Sequence, residues 1–411
     1  MLFLGEDIIL HISCNLTYPF ILKFIFITYL CRMAGIYIHI PFCKQACTYC
    51  DFHFSTSLKY VDEMTDAICK EIILKKNRIT EQVGSIYLGG GTPSVLPKAA
   101  LDKIFNTLTT HFSIAADAEI TIETNPDDLD AKKIAELRQL PVNRFSIGVQ
   151  SFFNEDLVWM NRAHNATEAE TCIKRSQDAG FENLSIDLIY GYPLLTDEKW
   201  QQNINKAISL ETPHISAYSL TVEPRTALAA AIKKGKQIPV NDEQSAAQFI
   251  YLIDQLGRAG FDHYEISNFS LPGRHAIHNT NYWRGVPYLG IGPSAHGFNS
   301  HIRYLNIANN AKYLQQLASD QLAETIEELD IYDRFNEYVM TSLRTMWGTD
   351  LHKIANDFGK VFISDTLKNS KPFIQRGWLN NENNKLILTQ EGKLFADYIA
   401  SELFMIDEQF S

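Results

Sequence analysis

The chain has 411 residues, of which 45% are hydrophobic and 21% charged, an ordinary globular composition with length enough for two or more domains. Its formal net charge is -11 and its pI about 5.6, so it lacks the basic field that phosphates require, and no nucleic-acid partner is expected. The seven cysteines (Cys14, Cys31, Cys43, Cys47, Cys50, Cys69 and Cys172) are odd in number, and three fall within eight residues. A secreted disulfide framework spreads paired cysteines through a much shorter chain, so this pattern predicts a metal site in a reducing, cytoplasmic setting.

In chain order, residues 1–32 contain YPFILKFIFITYLC, which is short for a membrane span and interrupted by Lys23. Glu6 and Asp7 stand where a signal peptide would be basic. We therefore expect an upstream extension with Met33 as the natural start; a membrane-associating helix is the competing reading. From Met33 to about Leu220, six apolar β-rich runs are predicted as strands: 35–40, 85–90, 119–124, 144–149, 184–191 and 214–220. Amphipathic stretches between them predict helices. Apolar runs without clean alternation, each followed by a helix, predict an α/β fold whose parallel sheet is buried on both faces. Six such units over residues 33–240 fit a partial (β/α)6 barrel of TIM type. The unusual residues gather at the C-terminal strand ends, where barrel sites form: the cysteines after the first run, Gly89 to Ser94 after the second, Glu123 closing the third, Gln150 after the fourth and Asp187 on the fifth.

Residues 241–329 read as an extension of the barrel, with a helix over 241–259, then HYEISNFS, then a Gly-, Asn- and aromatic-rich stretch containing HNTNYW. Residues 330–411 predict three helices and a short hairpin around an Asn-rich turn, a winged-helix-like α+β domain. Nine Lys/Arg against twelve Asp/Glu there favour a packing role over nucleic-acid binding.

The segment HIPFCKQACTYCDF leaves the first strand and puts three thiolates on one loop. Zinc sites usually take four ligands, and His39 and His53 are the nearest spare donors. Three thiolates on a [4Fe–4S] cubane instead leave one iron open to a non-protein ligand, and the spacing favours this reading. Lys44, Gln45 and Asp51 make the loop too polar for an incidental cluster of core cysteines. The glycines of GGGTPS allow close backbone approach to a ligand, with a tight turn as the competing reading. A carboxylate such as Asp187 inside an apolar strand is costly unless satisfied, which points to function.

The Cys-x3-Cys-x2-Cys spacing, with YIHIPFC, GGGTPS, GVQSF and SIDLIYGYP, resembles the oxygen-independent coproporphyrinogen III oxidase-like group of the radical S-adenosylmethionine (SAM) superfamily, from about Gly35 to the C-terminus. The resemblance implies a [4Fe–4S] cluster on Cys43, Cys47 and Cys50, with SAM chelated at the open iron and an electron donor for the cluster. It implies that Tyr37 and Tyr49 pack on the cofactor, and that Gly90, Gly91 and Thr92 receive the SAM amino-acid end. Glu123, Gln150, Arg162 and Asp187 match its other SAM-binding positions. Arg162 suits the carboxylate of SAM, and Asp187 its ribose hydroxyls.

Two activities follow from the resemblance. Oxidases of the group decarboxylate coproporphyrinogen III by radical chemistry and carry a fourth cysteine two positions after the third; here Asp51 and Phe52 follow Cys50. Heme chaperones of the group share CDF and HNxxYW, which here place His278, Asn279, Tyr282 and Trp283. The expected function is therefore heme chaperone, binding heme and passing it to an acceptor protein, with membrane contact only through that acceptor. His278 is the expected heme ligand, His275 and His296 are alternatives, and no catalytic acid or base is assigned. The oxidase remains the alternative. A third reading, a nucleic-acid-modifying radical SAM enzyme, is opposed by the acidic charge. The bland reading of the same motif is that His278 hydrogen-bonds within a loop while Tyr282 and Trp283 fill core.

Overall fold

The computed structural model describes residues 33–406, so the expectation for residues 1–32 lies outside the described residues. Strands β1 (Ala34–Ile40), β2 (Val83–Gly90), β3 (Ile114–Thr124), β4 (Arg144–Gln150), β5 (Asn183–Tyr190) and β6 (His214–Ser219) run parallel in that order. They match the six predicted runs within a residue or two, except that β3 begins earlier. Helices α1 (Val61–Lys75), α2 (Lys98–His111), α3 (Ala131–Leu137), α4 (Asn154–Trp159), α5 (Ala166–Asp178) and α6 (Asp197–Ser209) connect them. Several are started by side chains that satisfy orphan amides. Asp130 accepts from Lys133 N at α3, Thr196 accepts from Lys199 N at α6, and Asn165 forms a capping box with Glu168 at α5.

Beyond β6 come α7 (Ala227–Lys233) and α8 (Asp242–Arg258). Strands β7 (Asp262–Glu265) and β8 (Asn268–Ser270) then add antiparallel to that edge. After α9 (Ile277–Trp283), β9 (Tyr288–Ile291) pairs parallel with β1 at the opposite edge. It is followed by β10 (His296–Phe298), β11 (Ile302–Asn306), α10 (Asn310–Ala318) and β12 (Glu324–Glu328). The order β12-β11-β10-β9-β1-β2-β3-β4-β5-β6-β8-β7 is an open twelve-stranded sheet, a partial rather than closed barrel.

Right-handed crossovers in an unbroken strand order put the connecting helices on one face. Ile36, Ile38, Ile86, Leu88, Ile122, Ile147, Ile186 and Leu188 are buried there in one core with Ile68, Ile72, Leu101 and Ile104. The alternate positions are polar. Register sets Ser85 beside Glu119, Thr121 beside Arg144, Ser146 beside Ser185 and Asp187 beside Ser216. The strands therefore alternate, contrary to the expected lack of alternation, while both faces are largely covered as expected.

The C-terminal region has its own core of Phe335, Val339, Ile354, Phe373, Leu386 and Ile399. It comprises α11 (Ile331–Leu343), β13 (Thr349–Asp350), α12 (Leu351–Asp357), α13 (Lys360–Gln375), β14 (Leu379–Glu382), β15 (Lys385–Leu388) and α14 (Ala396–Leu403). Asn383 and Asn384, at φ 51° and 59°, make the two-residue hairpin turn between β14 and β15. The closing stretch LILTQEGKLFADYIA is strand followed by helix.

Candidate functional site

The cysteine loop follows β1 and is tied down from several directions. Lys44 pairs with Asp127 at 3.0 Å and with Asp128. Gln45 Nε2 donates to Asn161 Oδ1 (2.9 Å), and Asn161 Nδ2 donates to the Ala46 carbonyl (2.7 Å). Thr48 N donates to Met160 O (3.1 Å), and Leu228 N to Thr48 O (2.8 Å). Asn161 sits at φ 57°, a conformation Asn adopts more readily than most residues. Sequence reasoning missed it; the only signal was an Asn at the end of a short helix, directly before Arg162.

Cys43, Cys47 and Cys50 are half-buried and free of disulfides. Thr92 Oγ1 donates to Cys43 Sγ (3.5 Å) and Arg162 Nη1 to Cys47 Sγ (3.3 Å). Donors aimed at sulfur suit thiolates, yet burial pushes the Cys43 and Cys50 thiols up to about 11. Coordinated iron would supply the positive charge that keeps them ionised. The two spare histidines are engaged elsewhere. His39 Nε2 donates to the His53 carbonyl (2.8 Å) while its Nδ1 accepts from the Tyr37 hydroxyl (3.1 Å), and His53 Nε2 meets Asn310 Oδ1 (2.7 Å). Among the described residues, no three His, Cys, Asp or Glu side chains close on a point that would hold a single metal ion. Three free thiols on one loop, with both nearby histidines engaged elsewhere, are a donor set that fits a three-thiolate cluster.

Beside the cysteines, Gly91 N donates to Ile40 O (2.9 Å) and Thr92 N to Phe42 O (2.6 Å), laying GGGTPS against the loop. A Cβ at Gly91 would stand 2.5 Å from the Phe42 carbonyl oxygen, and one at Gly90, where φ is +97°, would stand 2.3 Å from the His39 ring. Gly90 N donates to Glu123 Oε2 (3.0 Å), and the Tyr87 hydroxyl donates to Glu123 Oε1 (2.8 Å). Burial lifts the Glu123 carboxyl to about 7, and burial likewise lifts Asp187 to about 6. Asp187 accepts from Ser146 Oγ at 3.4 Å.

Arg162 Nη2 donates to Asn125 Oδ1 (2.6 Å) and to Gly148 O (2.7 Å), while its buried Nε has no partner. An open guanidinium donor at this place is what a ligand carboxylate would satisfy. Gln150, the last residue of β4, is buried at φ 68°, a strained backbone of the kind found at ligand sites. Tyr49 is half-buried within the cysteine loop, and Tyr37 lies on the inner face with its ring 6.2 Å from that of Tyr87. The structure therefore gathers the cysteines, Gly90, Gly91, Thr92, Glu123, Gln150, Arg162 and Asp187 toward the C-terminal end of the sheet. It adds Tyr87 and Asn125, whose signal was the period-2 polar pattern along the strands.

His278 lies elsewhere. It opens α9, a helix where sequence reading had only an irregular segment. Glu119 caps that helix, accepting from Ile277 N (3.0 Å) and His278 N (2.9 Å). The His278 Nδ1 meets Ser85 Oγ at 2.9 Å, its ring stacks on Tyr87 at 5.3 Å, and burial lowers it to about 4. Ser85 lies near the start of β2 and its register partner Glu119 midway along β3, away from the cysteine end. Tyr282 is 47% exposed, and Trp283 carries a buried Nε1 without a partner, with the Arg344 guanidinium 5.5 Å from its ring. His275 pairs with Asp262 (3.2 Å) and stacks on Tyr264 (4.6 Å), whereas His296 is exposed on β10.

The family profile of the Radical SAM superfamily matches residues 37–207, and that of the HemN C-terminal domain matches residues 329–395. The chain is 32% identical over 374 residues to "Heme chaperone HemW" of Bacillus subtilis, spanning 89% of this chain and 98% of that one. It is 37% identical over 272 residues to "Heme chaperone HemW" of Escherichia coli, spanning 64% and 69%. The solved structure of coproporphyrinogen III oxidase (HemN) from Escherichia coli, described as a radical SAM enzyme, superposes with a TM-score of 0.80 over 93% of both chains at 24% identity, a likeness of fold. With near full-length similarity joined to this arrangement of thiols and polar strand ends, the chain belongs to the HemW heme chaperone family of radical SAM proteins.

Proposed function

We propose that the chain is a cytoplasmic heme chaperone that holds a [4Fe–4S] cluster on Cys43, Cys47 and Cys50, binds SAM beside it, and passes heme to an acceptor protein. The carrying observation is that three free thiols on one loop, the open Arg162 Nε and the half-buried Glu123 and Asp187 carboxyls occur together in a HemW-family chain. The cluster, reduced by a donor protein, would supply the electron that cleaves a SAM carbon–sulfur bond. Arg162 binds the SAM carboxylate, the side-chain-free surface of Gly90 and Gly91 in GGGTPS lets the amino-acid end approach closely, and Asp187 accepts from ribose hydroxyls. Gln150, Tyr37 and Tyr49 complete the walls. Phe52, at the place of the oxidases' fourth cysteine, is 66% exposed and offers no ligand. Among the described residues, no helix is long and apolar enough to cross a membrane.

For heme, His278 is the proposed ligand. Ser85 engages Nδ1, which leaves Nε2 as the metal-facing nitrogen, and the depressed pKa keeps the imidazole neutral and able to ligate. Anaerobically reconstituted protein should bind iron, sulfide and heme, with a Soret shift weakened in His278→Ala. Conversion of coproporphyrinogen III to protoporphyrinogen IX at enzymatic rates would overturn the chaperone reading in favour of the oxidase.

A further inference from the structure

We propose that Tyr87 is a positioning residue that couples helix α9 to the SAM pocket, so that heme and SAM bind with linked affinities. This rests on the reading above, in which SAM meets Glu123 and heme meets His278. Tyr87 stands on the inner face of β2, between the two sites. Its ring stacks on the His278 imidazole at 5.3 Å, with 29° between planes, and on Tyr37 at 6.2 Å, with 27°. Its hydroxyl donates to Glu123 Oε1 at 2.8 Å, while the second oxygen of that carboxyl receives Gly90 N at 3.0 Å. One side chain thus touches the first turn of α9 with its face and the GGGTPS-linked carboxyl with its tip. The other end of the contact is anchored, because Glu119 holds the first two amides of α9 and Ser85 holds the His278 ring.

In a close-packed interior, such a chain cannot deform smoothly. Ligation through His278 Nε2 fixes the imidazole plane and with it the Tyr87 ring. The hydroxyl is then held on Glu123, and the carboxyl and the Gly90 turn are ordered before SAM arrives. Heme should therefore tighten SAM, and by linkage SAM must tighten heme by the same factor.

The test uses full-length protein with its cluster reconstituted. SAM is titrated against the reduced-cluster paramagnetic spectrum with and without heme, and heme is titrated by Soret absorbance with and without SAM. The expected wild-type shift is about tenfold in each direction, within the range of linked sites. Tyr87→Phe keeps the ring and both stacks but removes the hydroxyl, and both shifts should fall below about twofold. Ser85→Ala leaves the Tyr87–Glu123 bond intact and frees His278; it too should reduce the linkage, and it decides the matter if Tyr87→Phe does not fold. Wild-type protein that binds both ligands without mutual effect overturns the coupling and leaves the functional reading standing. So does Tyr87→Phe with the full shift. Wild-type protein that binds neither ligand overturns the functional reading, and the coupling with it.

Discussion

Glu123→Gln should stabilise the SAM-free protein at alkaline pH and lose that advantage in acid. In the folded chain the Glu123 carboxyl is lifted by burial from an ordinary 4.5 to about 7. The sign follows from linkage. A carboxyl whose folded pKa is raised is harmless to stability below about pH 4.5. It destabilises progressively as pH rises from there, and by a constant amount above about pH 7. The interval corresponds to about 3 kcal/mol at full development, an upper figure for a buried group. Glutamine removes that cost and can still accept from the Tyr87 hydroxyl, but its amide nitrogen cannot accept from Gly90 N, a loss of about 1 kcal/mol. The net gain is about 2 kcal/mol at pH 8, turning to a small deficit near pH 5. For a folded unit of this size, about 1–2 °C of melting temperature accompanies each kcal/mol. Thermal denaturation of both proteins across this pH range gives the difference directly, with other titrating groups cancelling. A melting difference that stays constant between about pH 5 and pH 8 would refute the reasoning, since it would mean that Glu123 titrates normally.

Other substitutions probe the supports of the site. Asn161→Ala removes the bonds to Gln45 and Ala46 that hold the cysteine loop, and should cost about tenfold in cluster retention while melting stays within about 2 °C; iron and sulfide content equal to wild type would contradict this. Gly91→Ala places a methyl group 2.5 Å from the Phe42 carbonyl oxygen and should destabilise by about 2–3 kcal/mol, read by denaturant unfolding, with weaker SAM binding. Lys75→Met leaves the buried Glu71 without the 2.6 Å partner that it shares with Glu324 and Asn306, and should cost about 3–5 kcal/mol, checked by the same unfolding measurement.

Local pattern made much of this molecule legible in one dimension. The six parallel strands were visible because each is a compact β-rich run bounded by turn residues, and the cysteine cluster because its ligands sit within one short loop. The Asn-rich hairpin turn declared itself for a similar reason: Asn tolerates the left-handed backbone that both turn positions need. The four strands from β9 to β12 were not predicted. They are three to five residues long and are stabilised by pairing to β1 and to one another rather than by their own periodicity.

What the sequence by itself determined is the inventory: three thiols at cluster spacing, a glycine turn, and polar residues placed at strand ends. Only the tertiary structure decided which face those residues share. Parallel pairing sends alternate positions to opposite sides of a sheet, and helices cover one side alone, so Tyr87, Glu123, Arg144 and Asp187 became an inner lining rather than core errors. It also decided that the His278 ring stacks on Tyr87, whose hydroxyl reaches Glu123, a contact between residues 191 positions apart that no local pattern encodes.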